Sequence, residues 1–390
     1  MARTKLTLPG GIRASDLVSL GALAKCFPAE KISRAVAHAN QKCVRKRALP
    51  ATLTVMYVIA LWLFRDVSYE EVLDCLLESW KWLDLPDGDG ATKGAITQAR
   101  DRLGEEPMRR LFEDVAHPIA VARTRGAWYK DWRLVAMDGT LMDTPDTPAN
   151  AEAFEYATNQ YGKVGFPKVR VLVVAECGTH VPFACAMGSY LTSETALARQ
   201  IKHKLNSEML VIADRYFFGV EMWNEFLGTG AALLWRLRGD APIKIQERLP
   251  DGSYLGTVQT EEGAPLQIRV IRYQETSTEL KASLATNLLD IDKAPGIELA
   301  KIYTERWEIE LAFDEMKSHI SESRLSVRSK KPELVRQEIW GLLLLYWAIR
   351  ELIHEAALAH KTDPDKISFA RTVRLLKITF VKDGDFPPSV

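Results

Sequence analysis

In the run YTERWEIELAFDEMK, Tyr303, Arg306, Glu310 and Lys317 are spaced Y-x2-R-x3-E-x6-K. On a continuous α-helix, at about 100° per residue, Glu310, Lys317 and Arg306 fall roughly 20°, 40° and 60° to one side of Tyr303. Ile302, Ile309, Phe313, Met316 and Ile320 form an apolar stripe beside them, which predicts that the polar stripe runs along the rim of a hydrophobic core. A carboxylate to hold a metal ion, with Arg and Lys to hold phosphate oxygens, is what metal-assisted phosphoryl transfer requires. The same residues also suit a solvated helix face, with Glu310 paired to Arg306 and Asp314 to Lys317.

Two further acids stand where such chemistry would want them. RLVAMD (133–138) and MLVIAD (209–214) both read as short buried strands ending in aspartate, Asp138 before Gly139 and Asp214 before Arg215. Ligands of open α/β sheets collect where strands end. Hard cations such as Mg²⁺ take carboxylate oxygens, and three carboxylates could hold two ions about 3.5–4 Å apart for an in-line displacement at phosphorus. Taken singly, Asp138 also fits an Asp-Gly turn, and Asp214 a helix cap or salt bridge.

The elements that must carry these residues follow from pattern. Residues 27–117 read as helical: Pro50 precedes the apolar run 51–64, and Ser68 with Glu71 makes a capping box for a helix through Trp80. The pattern changes near Asp131. Lys168–Ala175 and His180–Met187 read as a hairpin around ECGT, 193–205 as a helix, and the stretch after Asp214 as a helix to Leu227. Alternating strands and helices predict an α/β sheet with covered faces. From 231 to 289 the chain is strand-rich, which predicts an antiparallel insertion. Helices return over Leu334–Ala359 and 367–377.

Composition excludes several classes. Formal net charge is zero, so bulk charge does not mark a polyanion binder, although residues 1–130 hold 20 Lys/Arg against 15 Asp/Glu. Arg45-Lys46-Arg47 and the segment Lys93–Arg102 are the basic groups that could meet phosphates there. The five cysteines are odd in number and include no C-x2-C pair, which argues against a disulfide framework and for a reducing cytosol. The seven histidines lack metal-ligand spacing, and no phosphate loop, dinucleotide fingerprint or nucleophile elbow is present. The apolar runs Ala51–Phe64 and Ile339–Ile349 are shorter than the roughly 20 residues of a membrane span, and no signal peptide is read.

Together, AMDGT around Asp138, VIADRYF around Asp214 and the Y-x2-R-x3-E-x6-K signature resemble the DDE transposases of bacterial insertion sequences, in the insertion sequence 4 family. The strand-rich insertion and RSKKPELVRQEIWGLLLLYWAIR fit the same pattern, over roughly residues 20–380. The resemblance implies an α/β, RNase H-like catalytic core interrupted by an antiparallel β insertion, with a helical N-terminal domain and a helical C-terminal segment. The expected bounds are 1–130 for the helical DNA-binding domain, 131–230 and 293–360 for the two parts of the core, 231–292 for the insertion and 361–390 for the tail.

The implied activity is cleavage at terminal inverted repeats and joining of the 3′ ends to target DNA, with two Mg²⁺ (or Mn²⁺) ions. By position, Asp138, Asp214 and Glu310 would be the metal ligands. Arg306, Lys317 and Arg215 would hold phosphates, Tyr303 would contact a phosphate or a displaced base, and Trp235 or Trp307 would stack a flipped base. Double-stranded DNA is the implied partner, with a homodimer in the synaptic complex, no membrane, and a bacterial cytoplasmic, nucleoid-associated location. Many relatives continue in a basic tail, whereas this sequence ends FPPSV, a difference that bears on end-binding and synapsis. Two alternatives remain at this level: a catalytically silent DNA-binding inhibitor of a related element, and a structure-specific RNase H-like nuclease that cuts without joining.

Overall fold

The structure is a computed structural model that describes residues 25–38, 49–82, 92–160, 162–274, 281–320 and 326–378. Arg45, Lys46 and Arg47 lie outside the described residues.

The helical N-terminal part comprises α1 (Ala29–His38), α2 (Ala51–Leu63), α3 (Tyr69–Trp82), α4 (Lys93–Leu103) and α5 (Glu106–Val115). The predicted capping box starts α3: the Ser68 N–H donates to Glu71 Oε2 at 2.8 Å and the Glu71 N–H to Ser68 Oγ at 3.2 Å. Helix α2 is buried continuously from Leu53 to Leu63. A helix without a polar face needs apolar neighbours all round. One is the 28-residue α11 (Pro332–Ala359). The two helices approach closely at Gly341, where a Cβ would stand 2.8 Å from the Val58 carbonyl oxygen. The Trp62 indole seals the contact by donating to the Glu338 carbonyl at 2.6 Å. One apolar cluster thus runs from Phe27 to Leu376, and the N-terminal helices and α11 share a core.

The rest is mixed α/β around one 11-stranded sheet. Its strands are β1 (Trp128–Tyr129), β2 (Trp132–Asp143), β3 (Tyr156–Asn159), β4 (Gly162–Glu176), β5 (Pro182–Ser189), β6 (Met209–Ala213), β7 (Ala232–Arg236), β8 (Lys244–Arg248), β9 (Tyr254–Gln259), β10 (Pro265–Gln274) and β11 (Lys281–Thr286). The order is β3-β4-β2-β6-β7-β11-β10-β9-β8, with β1 on β2 and β5 on β4. Only β2–β6 and β6–β7 pair in parallel; the other pairs are antiparallel.

Two expectations need correction here. Gly139 does not end a strand in a turn, because β2 continues to Asp143, held by β4 along its other edge through Asp138↔Val173 and Gly139↔Leu172. Residues 232–236, assigned from sequence to the insertion, form β7 and pair in parallel with β6. The antiparallel strands β8–β11 then extend the same sheet from β7.

Side-chain alternation divides the sheet into two faces. Leu134, Ala136, Leu210 and Ile212 join the cluster with the N-terminal helices and α11. Val135, Met137, Val211 and Ala213 face the other way, toward the helices α7 (Glu194–Ile201) and α8 (Val220–Leu227), which follow the short α6 (Pro148–Phe154). After the sheet come α9 (Gly296–Ile302), a 3₁₀ turn at Tyr303–Arg306, α10 (Trp307–Glu315) and a π turn at Met316–Ile320. Beyond α11, a 3₁₀ turn at Pro364–Lys366 leads into α12 (Phe369–Ile378). Among the described residues, no helix is long and apolar enough to cross a membrane.

Candidate active site

The parallel register between β2 and β6 builds the site. Its last rung pairs Met137 with Ala213, so Asp138 of β2 and Asp214, the first residue after β6, follow next to each other. Adjacent strands lie about 4.8 Å apart. Asp138 has the parity of Leu134 and Ala136 and therefore points to the face covered by α10. β2 runs on past Asp138, whereas β6 stops at Ala213, so the chain leaves the sheet beside Asp138. Gly139 serves the opposite face, where a Cβ would come within 2.6 Å of the Glu194 carboxyl.

Arg306 and Glu310 of the stripe read from the sequence come to Asp138, but not on one continuous α-helix. The chain tightens to 3₁₀ at Tyr303–Arg306 and widens to a π turn that carries Lys317. Ile309, Phe313, Met316 and Ile320 are buried as expected. Arg306 Nη1 lies 2.6 Å from Glu310 Oε1 and 4.0 Å from Asp138 Oδ2, with the Arg306 side chain 14% exposed. The i,i+4 ion pair anticipated as the bland alternative is therefore present, and it lies beside Asp138.

Burial pushes the Asp138 carboxyl up to about 6, with Glu194 and Asp214 adding to the rise, while the Gly139 N–H and the Arg306 charge oppose it. The Gly139 N–H donates to Asp138 Oδ1 at 2.8 Å, and the Tyr216 N–H to Asp214 Oδ1 at 2.6 Å. For Arg306, burial works against the charge, but Tyr303, Glu310 and Asp138 outweigh it and hold the guanidinium above its usual value.

The donor set fits a hard divalent ion: it offers only oxygens, and a guanidinium already supplies positive charge between Glu310 and Asp138. Asp138, Asp214 and Glu310 could hold such an ion. With Arg306 between them, their oxygens do not all gather within 4.8 Å; among the described residues the group that does is His180, Glu308 and Asp365. No spacing motif marks this group of one histidine and two carboxylates, since its members are far apart in the chain.

The other candidates fall out unequally. Tyr303 is buried, its hydroxyl donates to the Ala213 carbonyl at 3.4 Å at the end of β6, and it also borders a cleft with Arg306 and Trp307. Arg215 is exposed beside the Tyr216 ring, at 5.3 Å from its centroid. Lys317 is half-buried on the π turn. Trp307 is 58% exposed, with the Arg306 guanidinium 5.7 Å from its ring. Trp235 is fully buried, with edge contacts to Trp223 and Phe226 at 5.2 Å, so no base can stack on it without opening that core. Arg100, in the basic segment 93–102, is also internal. It donates to Gln337 Oε1, Ser329 Oγ and the Leu334 carbonyl at 2.8, 3.0 and 3.1 Å, and so ties α4 to α11.

Sequence reasoning missed a basic groove. A cleft of about 660 Å³ is walled by Arg236, Arg272, Tyr273, Lys301, Arg306 and Trp307. It shares Arg236 with a second cleft of about 480 Å³ that Arg215 and Arg238 line. Part of the signal was present in WRLRG, where Arg236 and Arg238 flank Leu237 at the end of β7, whereas of the arginines in RVIRY only Arg272 reaches the cleft and Arg269 is buried.

The family model described as "Transposase DDE domain" matches residues 130–348, and "Insertion element 4 transposase N-terminal" matches residues 17–113. The chain is 31% identical over 381 residues to the transposase InsG for insertion sequence element IS4 of Escherichia coli (strain K12), covering 92% of this chain and 84% of that protein. Among solved structures it is similar to the piggyBac transposase in a synaptic complex with hairpin DNA, at 11% identity and a TM-score of 0.49, over 92% of this chain and 79% of that one. With the domain and the full-length relative both matched, the chain belongs to the insertion sequence 4 family of DDE transposases, metal-dependent enzymes of DNA transposition.

Proposed function

We propose that the protein cuts DNA at the terminal inverted repeats of its element and joins the freed 3′ ends to target DNA, with Asp138, Asp214 and Glu310 as its metal ligands. The observation that carries this reading is the convergence of Asp138, Arg306 and Glu310 beside the end of β6, next to Asp214. An RNase H-like core is supported by the strand order β5-β4-β2-β6-β7 with its parallel centre. Strands β8–β11 make up the insertion.

When bound, a pair of Mg²⁺ or Mn²⁺ ions supplies Lewis acidity and a nucleophile at neutral pH. The chain's residues do the rest. Asp138, whose burial opposes its charge, would hold a cation there in place of a proton. Arg306 leaves Glu310 for the non-bridging oxygens of the scissile phosphate, where its fork of donors fits best. Lys317 adds a point charge there, and Arg215 follows the DNA backbone into the basic groove. Trp307 stacks a base displaced from the duplex, and Tyr303 fixes the turn beneath Asp214. Pairing of two DNA ends calls for a homodimer, acting in the bacterial cytoplasm on nucleoid DNA.

End-labelled terminal-repeat DNA, incubated with unlabelled target and Mg²⁺, tests the reading. A labelled strand covalently joined to target is the expected product. Nicked but unjoined DNA would make the protein a nuclease, and bound but uncut DNA a silent inhibitor.

A further inference from the structure

Helix α10 carries a second cluster on the face turned away from Glu310. His180, in the β4–β5 turn, lies with Nε2 against Glu308 of α10 and 3.4 Å from Asp365 Oδ1 in the 3₁₀ turn after α11. One ligand atom from each of these residues lies within 4.8 Å of the others. The His180 backbone is left-handed, with φ of 61°, and its side chain is only 4% exposed. Its other ring nitrogen, Nδ1, is buried without a hydrogen-bond partner and faces Glu315 Oε2 at 3.7 Å. Glu315 is itself held by the Tyr346 hydroxyl at 2.6 Å and by Arg350 at 2.9 Å.

We propose that His180, Glu308 and Asp365 form a structural site for one first-row divalent transition ion, with Glu315 as the carboxylate that orients His180. One imidazole nitrogen with two carboxylate oxygens suits Zn²⁺ or Mn²⁺ better than the oxygen-only preference of Mg²⁺. Histidines that bind metal through one ring nitrogen usually donate the other N–H to a carboxylate, and the unpartnered Nδ1 opposite Glu315 is placed for that bond. Glu308 and Asp365 otherwise bring two carboxylates, one of them largely buried, against one imidazole, an excess of negative charge that a cation relieves. The Asp365 side chain is 44% exposed, which gives the ion a way in. The ion would join the β4–β5 turn, α10 and the segment after α11, and so fix the helix whose other face presents Arg306 and Glu310. The site stands apart from the catalytic reading, whose acids it does not use.

The test uses the full chain, stripped with chelator, carrying Asp138→Asn, Asp214→Asn and Glu310→Gln so that the candidate active site is silent. Calorimetric titration with ZnCl₂ should show one equivalent bound, thermal unfolding should move up with Zn²⁺, and millimolar Mg²⁺ should not compete. Adding His180→Gln or Asp365→Asn should remove both effects, and Glu315→Gln should weaken binding by about tenfold. Asp365→Asn alters a partly exposed turn and serves as the folded control, checked by its circular dichroism. Absence of Zn²⁺ binding, stoichiometric binding that survives both ligand substitutions, or displacement by Mg²⁺ would overturn the proposal.

Discussion

Replacing Asp138 by asparagine should make the fold more stable at alkaline pH while abolishing DNA cleavage. Burial and the neighbouring acids lift the Asp138 carboxyl from 3.8 to about 6. That shift of about 2 units corresponds to about 3 kcal/mol at 1.36 kcal/mol per unit. The sign follows from linkage. The folded state holds this proton more tightly than the unfolded state, so the contribution is fully present below about pH 4 and is lost as pH rises through about 6. At about pH 8 the ionised carboxylate therefore opposes folding, and a neutral amide of the same shape does not.

Arg306 loses only its 4.0 Å neighbour, because Glu310 remains at 2.6 Å. Urea unfolding of both proteins should give Asp138→Asn an advantage of up to about 3 kcal/mol at pH 8 that shrinks toward zero near pH 4. Millimolar Mg²⁺ should stabilise the natural protein and leave the variant nearly unchanged, since binding to the native state alone adds stability by mass action. A variant less stable than its parent by the same margin at both pH values would refute the reasoning, because Asp138 would then be a structural hydrogen-bond partner rather than a strained charge.

Other substitutions separate structural groups from DNA contacts. Arg100→Ala should lower stability by about 3 kcal/mol, through loss of its three hydrogen bonds to α11 and the segment before it, and leave the salt dependence of DNA binding unchanged. Lys317→Ala should reduce that salt dependence by about one phosphate contact and slow joining, with Mg²⁺ stabilisation retained. Trp307→Ala should leave the thermal midpoint in place and weaken binding to DNA with a displaced end base by about 1–3 kcal/mol, as read by fluorescence anisotropy. Trp235→Ala should do the reverse, costing about 3–5 kcal/mol of stability through the cavity it leaves between Trp223 and Phe226.

Local signals in the chain were read well where the physics is local. The Ser68–Glu71 capping box, the apolar run that becomes α2 and the strand MLVIA each depend on residues within a turn or two of one another. The register that sets Asp138 beside Asp214 depends on a parallel neighbour far along the chain, and an Asp-Gly pair on its own looks like a turn. The changes of pitch at Tyr303–Arg306 and Met316–Ile320 are likewise invisible to a fixed period of 3.6 residues, although the apolar side of the stripe survives them. Arg100 and Trp235 share one ambiguity: charge and aromaticity leave a surface role open until the partners Gln337 and Trp223 are known. His180 joined Glu308 and Asp365 only through tertiary packing, across separations that no spacing motif spans.

The most direct measurement of the central claim is anomalous diffraction from crystals of the full chain soaked in MnCl₂. We expect Mn²⁺ density bridging the carboxylates of Asp138 and Asp214 with Glu310 completing the set, and the Arg306 guanidinium drawn away from Glu310. Density confined to the His180 cluster, with Arg306 still seated between Glu310 and Asp138, would contradict it.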